Sequence, residues 1–248
     1  MNKEFLSAYT ITNENWRWAR AQTAGAQDVL TVAGSGDQAL TYKLTGAKNV
    51  DTYDITKCAH MIQDIKTTAL QMMPRDQYTQ LMRELHYSHE PMNLVSLAHV
   101  MKHMPAATVA EMRTNASKID FGAGCPIDSY PENQFTDAEY AKLKTLVTKP
   151  FNFINSDIAN LHAKLTTEYD LIDISNIFDY GMDGTTQANI LGSLIKHVRI
   201  GGRIVYLPQM ARYKYDGVRI HTHGMTLEHE KTLEPAHGID MVMFQRTR

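Results

Sequence analysis

The chain has 248 residues, 43% hydrophobic and 21% charged, which is enough for one large packed domain and too apolar for a disordered chain. Lys and Arg number 25 and Asp and Glu 27, a net charge of −2, so no bulk positive field draws the protein to nucleic acid. Cys58 and Cys125 lie far apart, which excludes a disulfide framework and argues against a Cys-based zinc site; with no apolar leader in MNKEFLSAYT and no run of about 18 apolar residues, the expectation is a soluble cytoplasmic protein with no transmembrane segment.

Residues 28–36, DVLTVAGSG, form an apolar run ending in a glycine turn and predict a strand buried on both faces. Residues 37–45 predict a helix that opens on Asp37 and carries Ala39, Leu40 and Leu44 at helical spacing, with Gly46 as its stop. NVDTYDI (49–55) reads as a second strand. A helix follows over 57–73, with Ala59, Ile62, Ile65 and Ala69 on one side and Pro74 ending it. The alternation then breaks. Residues 76–118 are helical in pattern, 121–135 are a Gly- and Pro-rich loop, and Thr136 with Glu139 makes a capping box for a helix over 136–147. It resumes with a strand at 151–158, a short helix at 159–165, a strand at 169–178 and a helix at 185–198. A turn at Gly201–Gly202 then leads to a strand at 203–208, and antiparallel strands follow at 217–223 and 238–247. The expected fold is α/β: one domain, 1–248, with a doubly wound, mostly parallel Rossmann-like sheet, a C-terminal antiparallel hairpin, and a helical insertion, 76–148, acting as a cap.

In such a sheet, ligands bind beyond the carboxyl ends of the strands, near the switch point. The loop Gly34-Ser35-Gly36-Asp37 lies there; its glycines admit close approach of a ligand, and the next helix points its N-terminus at it. Asp54 ends the second strand 18 residues after Gly36 and can accept from both hydroxyls of a ribose, with Ile55 beside it. Asp157 ends the third strand, where it can meet an adenine amino group, with Ile158 alongside. Asp54 also suits a helix N-cap before Thr56, a role that can coexist with the first, and Asp157 suits an N-cap for the helix at 159 equally well. Because Gly34-x-Gly36-x-x-Ala39 also fits a dinucleotide pattern, a nicotinamide-nucleotide-dependent oxidoreductase and a non-catalytic nucleotide-binding module stay open as alternatives. The antiparallel ending and the polar Ser175-Asn176, followed by Phe178 and Tyr180, point away from them.

The set formed by the G-S-G loop, Asp54, Asp157 and the antiparallel ending resembles a class I S-adenosylmethionine (SAM)-dependent methyltransferase. DVLTVAGSGDQAL, VDTYDIT, AHMIQDIKTTAL and YDLIDISNIFDYG resemble one branch more closely: the SAM:diacylglycerol 3-amino-3-carboxypropyltransferases, or betaine-lipid synthases. The similarity covers about residues 13–73 and 150–207. Val32 stands where the usual glycine motif opens with an acid, and Gln38 where its third glycine falls. The resemblance implies SAM as cofactor. It further implies transfer of a methyl or 3-amino-3-carboxypropyl group to a small-molecule or lipid acceptor, with peripheral membrane contact left open and no nucleic-acid partner.

On that reading the sulfonium lies near Gly34 and Ser175. Asn176, Asp179 and Tyr180 are the acceptor-side candidates: an amide to orient, a carboxylate to take a proton and a phenol to bridge. Arg17 is a candidate for the methionyl carboxylate, against the plainer reading of a surface helix with its tryptophans packed inward. Met61, Met72, Met73, Met82, Met92, Met101, Met104 and Met112 suit ordinary core more than a lid. His99 and His103 share a helical spacing and His86, His89 and Glu90 lie nearby, but no metal motif emerges. His221, His223, His229 and His237 fall on the C-terminal hairpin, and Cys125 has no evident base.

Overall fold

The computed structural model describes residues 3–208, 225–230 and 241–247. After α1 (Trp16–Gln22) come β1 (Asp28–Val32), α2 (Asp37–Leu44), β2 (Asn49–Asp54) and α3 (Lys57–Met72). The insertion folds as α4 (Arg75–Tyr87), α5 (Val95–Met101), α6 (Ala106–Thr114) and α7 (Asp137–Leu146), joined by short helical turns. The alternation resumes with β3 (Asn152–Asn155), α8 (Ile158–Leu161), β4 (Tyr169–Asp173), α9 (Gly184–Leu194) and β5 (Val198–Tyr206), and closes on β6 (Met225–Glu230) and β7 (Met241–Arg246).

The seven strands run in the order β3-β2-β1-β4-β5-β7-β6. β1 to β5 are parallel, and β7 is antiparallel to both β5 and β6. The chain steps from β1 outward to β3, returns, and continues on the other side through β4, so the switch point lies between β1 and β4. Period-two alternation sorts the core. Val29, Leu171, Val205 and Met243 face α2, α3 and the insertion; Leu30, Ile172, Ile204 and Phe244 face α8 and α9. Met61, Met73, Met82, Met101, Met104 and Met112 are all buried in the first of these cores, and Met72 and Met92 pack against it.

Three expectations shift. The strand expected over 169–178 stops at Asp173, because Ser175 turns the chain with φ +51. The turn expected at Gly201–Gly202 lies inside β5, which carries the two glycines through a register shift opposite Tyr169–Leu171. A Cβ on Gly202 would sit 2.9 Å from the Asp170 carbonyl, so the close strand crossing needs glycine there. At the C-terminus the 238–247 strand is β7, while its partner is β6 at Met225–Glu230. The expected strand at 217–223, with His221 and His223, lies outside the described residues, as does His237; His229 is on β6, opposite Val242.

Residues 3–14 form a strap across the carboxyl ends of the strands. The insertion holds it: Ala8 N–H donates to the Asp120 carbonyl (3.0 Å), Ala123 N–H to Ala8 (3.2 Å), and Asn133 Nδ2 to Thr12 (2.8 Å). Trp16 Nε1 donates to Asn133 (3.0 Å). From below, Asp37 Oδ2 accepts from Thr12 N–H at 2.9 Å.

Candidate functional site

A cavity of about 500 Å³ opens beyond the carboxyl ends of β1, β2, β3 and β4. This lies within the size range of small-molecule sites. The floor comes from the loops after the strands: Gly34 and Ser35, Asp54 and Ile55, Asp157 and Ile158, Ser175 and Asn176. The strap forms the roof with Leu6 to Tyr9 and Thr12 to Glu14. No residue of 76–148 lines it. The insertion, expected as a cap, instead buttresses the strap that covers the site.

The glycine loop is positioned by the two strands beneath it. Gly34 has φ +49 and its N–H donates to Asp54 Oδ2 at 3.0 Å; Asp54 Oδ1 accepts from Thr56 N–H at 3.1 Å. Burial raises the Asp54 pKa, and these backbone donors oppose the rise. Asp54 thus fastens the loop while lining the cavity. Asp157 caps α8 by accepting from Ala159 N–H at 3.0 Å and lines the cavity as well. For Asp157 the cap and the cavity position coexist; for Asp54 the expected cap of α3 falls instead to Thr56, whose hydroxyl accepts from Cys58 N–H at 3.2 Å.

Nine of the residues singled out from the sequence meet at this cavity: Gly34, Ser35, Asp54, Ile55, Asp157, Ile158, Ser175, Asn176 and Tyr180. Four do not. The Arg17 fork is taken by Glu139, at 2.5 and 2.9 Å, and by the Glu132 and Gln134 carbonyls at 2.9 Å, so it is not offered to a carboxylate in the cavity. Gly36 caps α2 at φ +82, and its missing Cβ makes room for α3, whose Gln63 Cα would be 3.1 Å away; its close approach is to protein. Asp37 is buried in an ion pair with Lys66 Nζ at 2.5 Å. Asp179 is buried and accepts from the Tyr206 hydroxyl beneath the floor, so it cannot reach an acceptor.

Tyr180 stands at the rim, 65% exposed. Burial of its phenol end and a hydrogen bond with Tyr9 push its pKa up, so it can donate or bridge but not take a proton. Elsewhere, His86 meets Thr10 Oγ1 at 3.5 Å, His89, His99, His103 and Cys125 are exposed, and Cys58 is buried. Among the described residues no group of three His, Cys, Asp or Glu side chains is placed to hold a metal, and no helix is long and apolar enough to cross a membrane.

The sequence reading missed Glu14, Gln38 and Tyr53. Glu14 is 4% exposed and lines the cavity. It accepts from the Ser175 hydroxyl and from Gln38 Nε2 (3.4 Å). Burial first, then the neighbouring Asp173 carboxylate, raises its pKa to about 8. Asp173, just below, accepts from Ser175 N–H (2.8 Å) and the Tyr42 hydroxyl (2.8 Å), and burial raises its pKa too.

No protein-family model and no curated sequence matches the chain. Among solved structures it is similar to the rRNA methyltransferase aviRa from Streptomyces viridochromogenes, with a TM-score of 0.53, 14% identity, and 100% of this chain and 90% of that one covered. It also matches the N-methyltransferase NodS from Bradyrhizobium japonicum WM9 (TM-score 0.44, 10% identity, 96% and 100% covered). A third match is the magnesium protoporphyrin IX methyltransferase from Synechocystis PCC 6803 with bound SAM (TM-score 0.44, 12% identity, 93% and 74% covered). The likeness to aviRa is one of fold: the chain has a Rossmann-like methyltransferase sheet, mostly parallel with an antiparallel C-terminal pair.

Proposed function

We propose that the protein is a SAM-dependent methyltransferase whose acceptor arrives at the rim formed by Asn13, Asn176 and Tyr180. The observation that carries this reading is the cavity itself. It sits over a positive-φ glycine loop tied to a strand-end carboxylate, at the switch point of a sheet that closes in the order β5-β7-β6. A nicotinamide-dinucleotide enzyme of this architecture carries a sixth parallel strand instead. The antiparallel β7 between β5 and β6 therefore weighs against that alternative.

The residues present fit the cofactor. Asp54 lines the cavity, and each of its oxygens, already accepting one backbone N–H, keeps a lone pair that a ribose hydroxyl could use; Ile55 and Ile158 offer apolar side chains to a purine, and Asp157 a carboxylate to its amino group. When bound, SAM supplies an activated carbon on a sulfonium. The protein's part is alignment and exclusion of water: the strap roofs the site, and Asn176 can orient an incoming hydroxyl or amine. Asp179, the one carboxylate of this loop's candidates, is buried against Tyr206, and the Tyr180 phenol stays neutral, so the acceptor is one that attacks without a base from this loop, such as an amine or a thiolate.

The likeness of the β1–α3 and β4 segments to betaine-lipid synthases supports a second outcome at the same site, in which the aminocarboxypropyl carbon faces the acceptor. The nucleoside product distinguishes the two: S-adenosylhomocysteine for methyl transfer, methylthioadenosine for the other. Calorimetric titration with SAM tests the site directly. Asp54→Ala should weaken SAM binding at least tenfold, because hydrogen bonds to a charged group contribute about 1.5–3 kcal/mol. Unchanged affinity would remove Asp54 from the site, and stabilisation by NAD(H) but not by SAM would favour the oxidoreductase.

A further inference from the structure

The strap carries the Glu14 carboxyl into the cavity; Lys3 also lines the cavity, but among the described residues no cation is paired with Glu14. Glu14 and Asp173 are both at least nine-tenths buried, and neither forms an ion pair among the described residues. The nearest buried ammonium, on Lys66, is committed to Asp37. The groups facing Glu14 are Ser175, Asp173 and Asp179 from β4 and the loop after it, Gln38 and Tyr42 from α2, Tyr53 from β2 and Tyr180 from the rim. All are neutral or acidic. The Tyr53 side chain, 1% exposed, lines the same cavity, and its hydroxyl has no hydrogen-bond partner among the described residues. A buried phenol left unsatisfied costs free energy unless a ligand completes it. One end of the cavity is thus lined by a carboxyl without a counter-ion and a hydroxyl without a partner. A ligand with a cationic centre completes the carboxyl, and a hydrogen-bonding group on the same ligand completes the hydroxyl.

Building on the methyl-transfer reading, we propose that Glu14 is the counter-charge to the donor's sulfonium and makes the site discriminate the charged donor from its thioether product. The step is a proton exchange. In the free protein burial and Asp173 keep the Glu14 carboxyl largely protonated at pH 7. Entry of the sulfonium favours the carboxylate, and the proton leaves to solvent. Transfer of the methyl group leaves an uncharged sulfur. The carboxylate then loses the sulfonium beside it, its proton affinity rises again, and the product is held without that contact. The donor's α-ammonium is a second cation at the same end, but it is present in both donor and product and so gives no discrimination.

The experiment is calorimetric titration of the whole protein with SAM and with S-adenosylhomocysteine, in buffers of different ionisation enthalpy. SAM binding at pH 7 should release close to one proton, and S-adenosylhomocysteine less than half as much. SAM affinity should rise by nearly tenfold per pH unit from about pH 6 and level off above about pH 8. Glu14→Gln, which imitates the protonated acid, should weaken SAM about tenfold or more, leave S-adenosylhomocysteine within threefold, and abolish both proton release and pH dependence. Equal weakening of the two ligands would assign Glu14 to the ammonium and overturn the proposal. Absence of proton release in the unaltered protein would overturn it without recourse to any variant, and so would proton release that persists in Glu14→Gln. Unaltered protein that binds neither ligand would overturn the SAM-site reading with it, whereas SAM binding indifferent to Glu14→Gln would overturn this inference alone.

Discussion

Ser175 is a non-glycine residue in the left-handed region, at φ +51, a conformation that costs about 1–2 kcal/mol. The surroundings hold it there. Its N–H donates to Asp173 Oδ1 at 2.8 Å, its carbonyl accepts from Leu207 N–H at 2.9 Å, and its hydroxyl is taken by Glu14. The strained turn, the buried Asp173 and the buried Glu14 are thus one unit, and it has a signature in stability. The Glu14 pKa is raised from 4.5 to about 8 on folding, so between those values the native state binds more protons than the unfolded chain. Stability from this group is fully present below about pH 4.5 and is lost as pH rises to about 8. Glu14→Gln removes that loss. Urea midpoints should therefore show the variant gaining on the unaltered protein from pH 5 to pH 8, with a constant gap above it; parallel midpoints across that range would show Glu14 ionised throughout. Asp54 was legible in the sequence because a strand-end acid is a local pattern. Glu14 was not, because its meaning depends on Ser175, 161 residues away. Arg17 was misjudged for the same reason: nothing near it in sequence announces Glu139.

At the scale of elements, periodicity and punctuation were good guides where the chain obeys local rules. The α7 capping box is present as read: Glu139 N–H donates to Thr136 Oγ1 at 3.3 Å, and Thr136 N–H to Glu139 Oε2 at 2.9 Å. What the local pattern does not carry is that the same Glu139 also receives the Arg17 fork, tying α1 to α7. The paired glycines in β5 misled because a register shift, set by the neighbouring strand, lets them lie inside a strand. The α1–α7 tie is testable. Burial opposes ionisation of Glu139, but Arg17 and the Thr136 cap outweigh it and hold the carboxyl at about 2. A depressed acid contributes stability above its unfolded value of 4.5, lost as pH falls toward 2. Arg17→Ala should lower Tm at pH 7 by about 3 °C or more, with the deficit shrinking in melts at pH 4 and pH 2.5. SAM affinity should stay within threefold, because Arg17 lies outside the cavity. A large loss of SAM affinity at unchanged Tm would return Arg17 to the methionyl carboxylate.

For the whole molecule, the question is whether the insertion is an accessory or a wall of the core. Its boundaries were legible because the strand-helix alternation stops after Pro74 and restarts near residue 150. Its role was not, since a break in alternation does not tell which face of the sheet the extra helices cover. They cover α3 and the strap. Ile62, Ile65, Leu70 and Met73 share one apolar cluster with Leu81, Met82, Leu97, Met112 and Leu143, and the strap backbone is hydrogen-bonded to the Asp120 and Ala123 backbone and to the Asn133 side chain. Replacing residues 76–148 with a short linker would expose that side of α3. At about 1.5–3 kcal/mol for each large apolar side chain returned to water, four such residues on α3 and its end already cost about 6–12 kcal/mol. That is comparable to the roughly 5–15 kcal/mol that holds a domain together. The shortened chain should show no cooperative thermal transition and no SAM binding, and the full chain should unfold in one calorimetric step. Two steps in the full chain, or a shortened chain that melts cooperatively and still binds SAM within a few fold, would make the insertion a separable cap. A single step would mean that the strap is held by the same packing that holds the sheet, and that Glu14 reaches the cavity only while the insertion is in place.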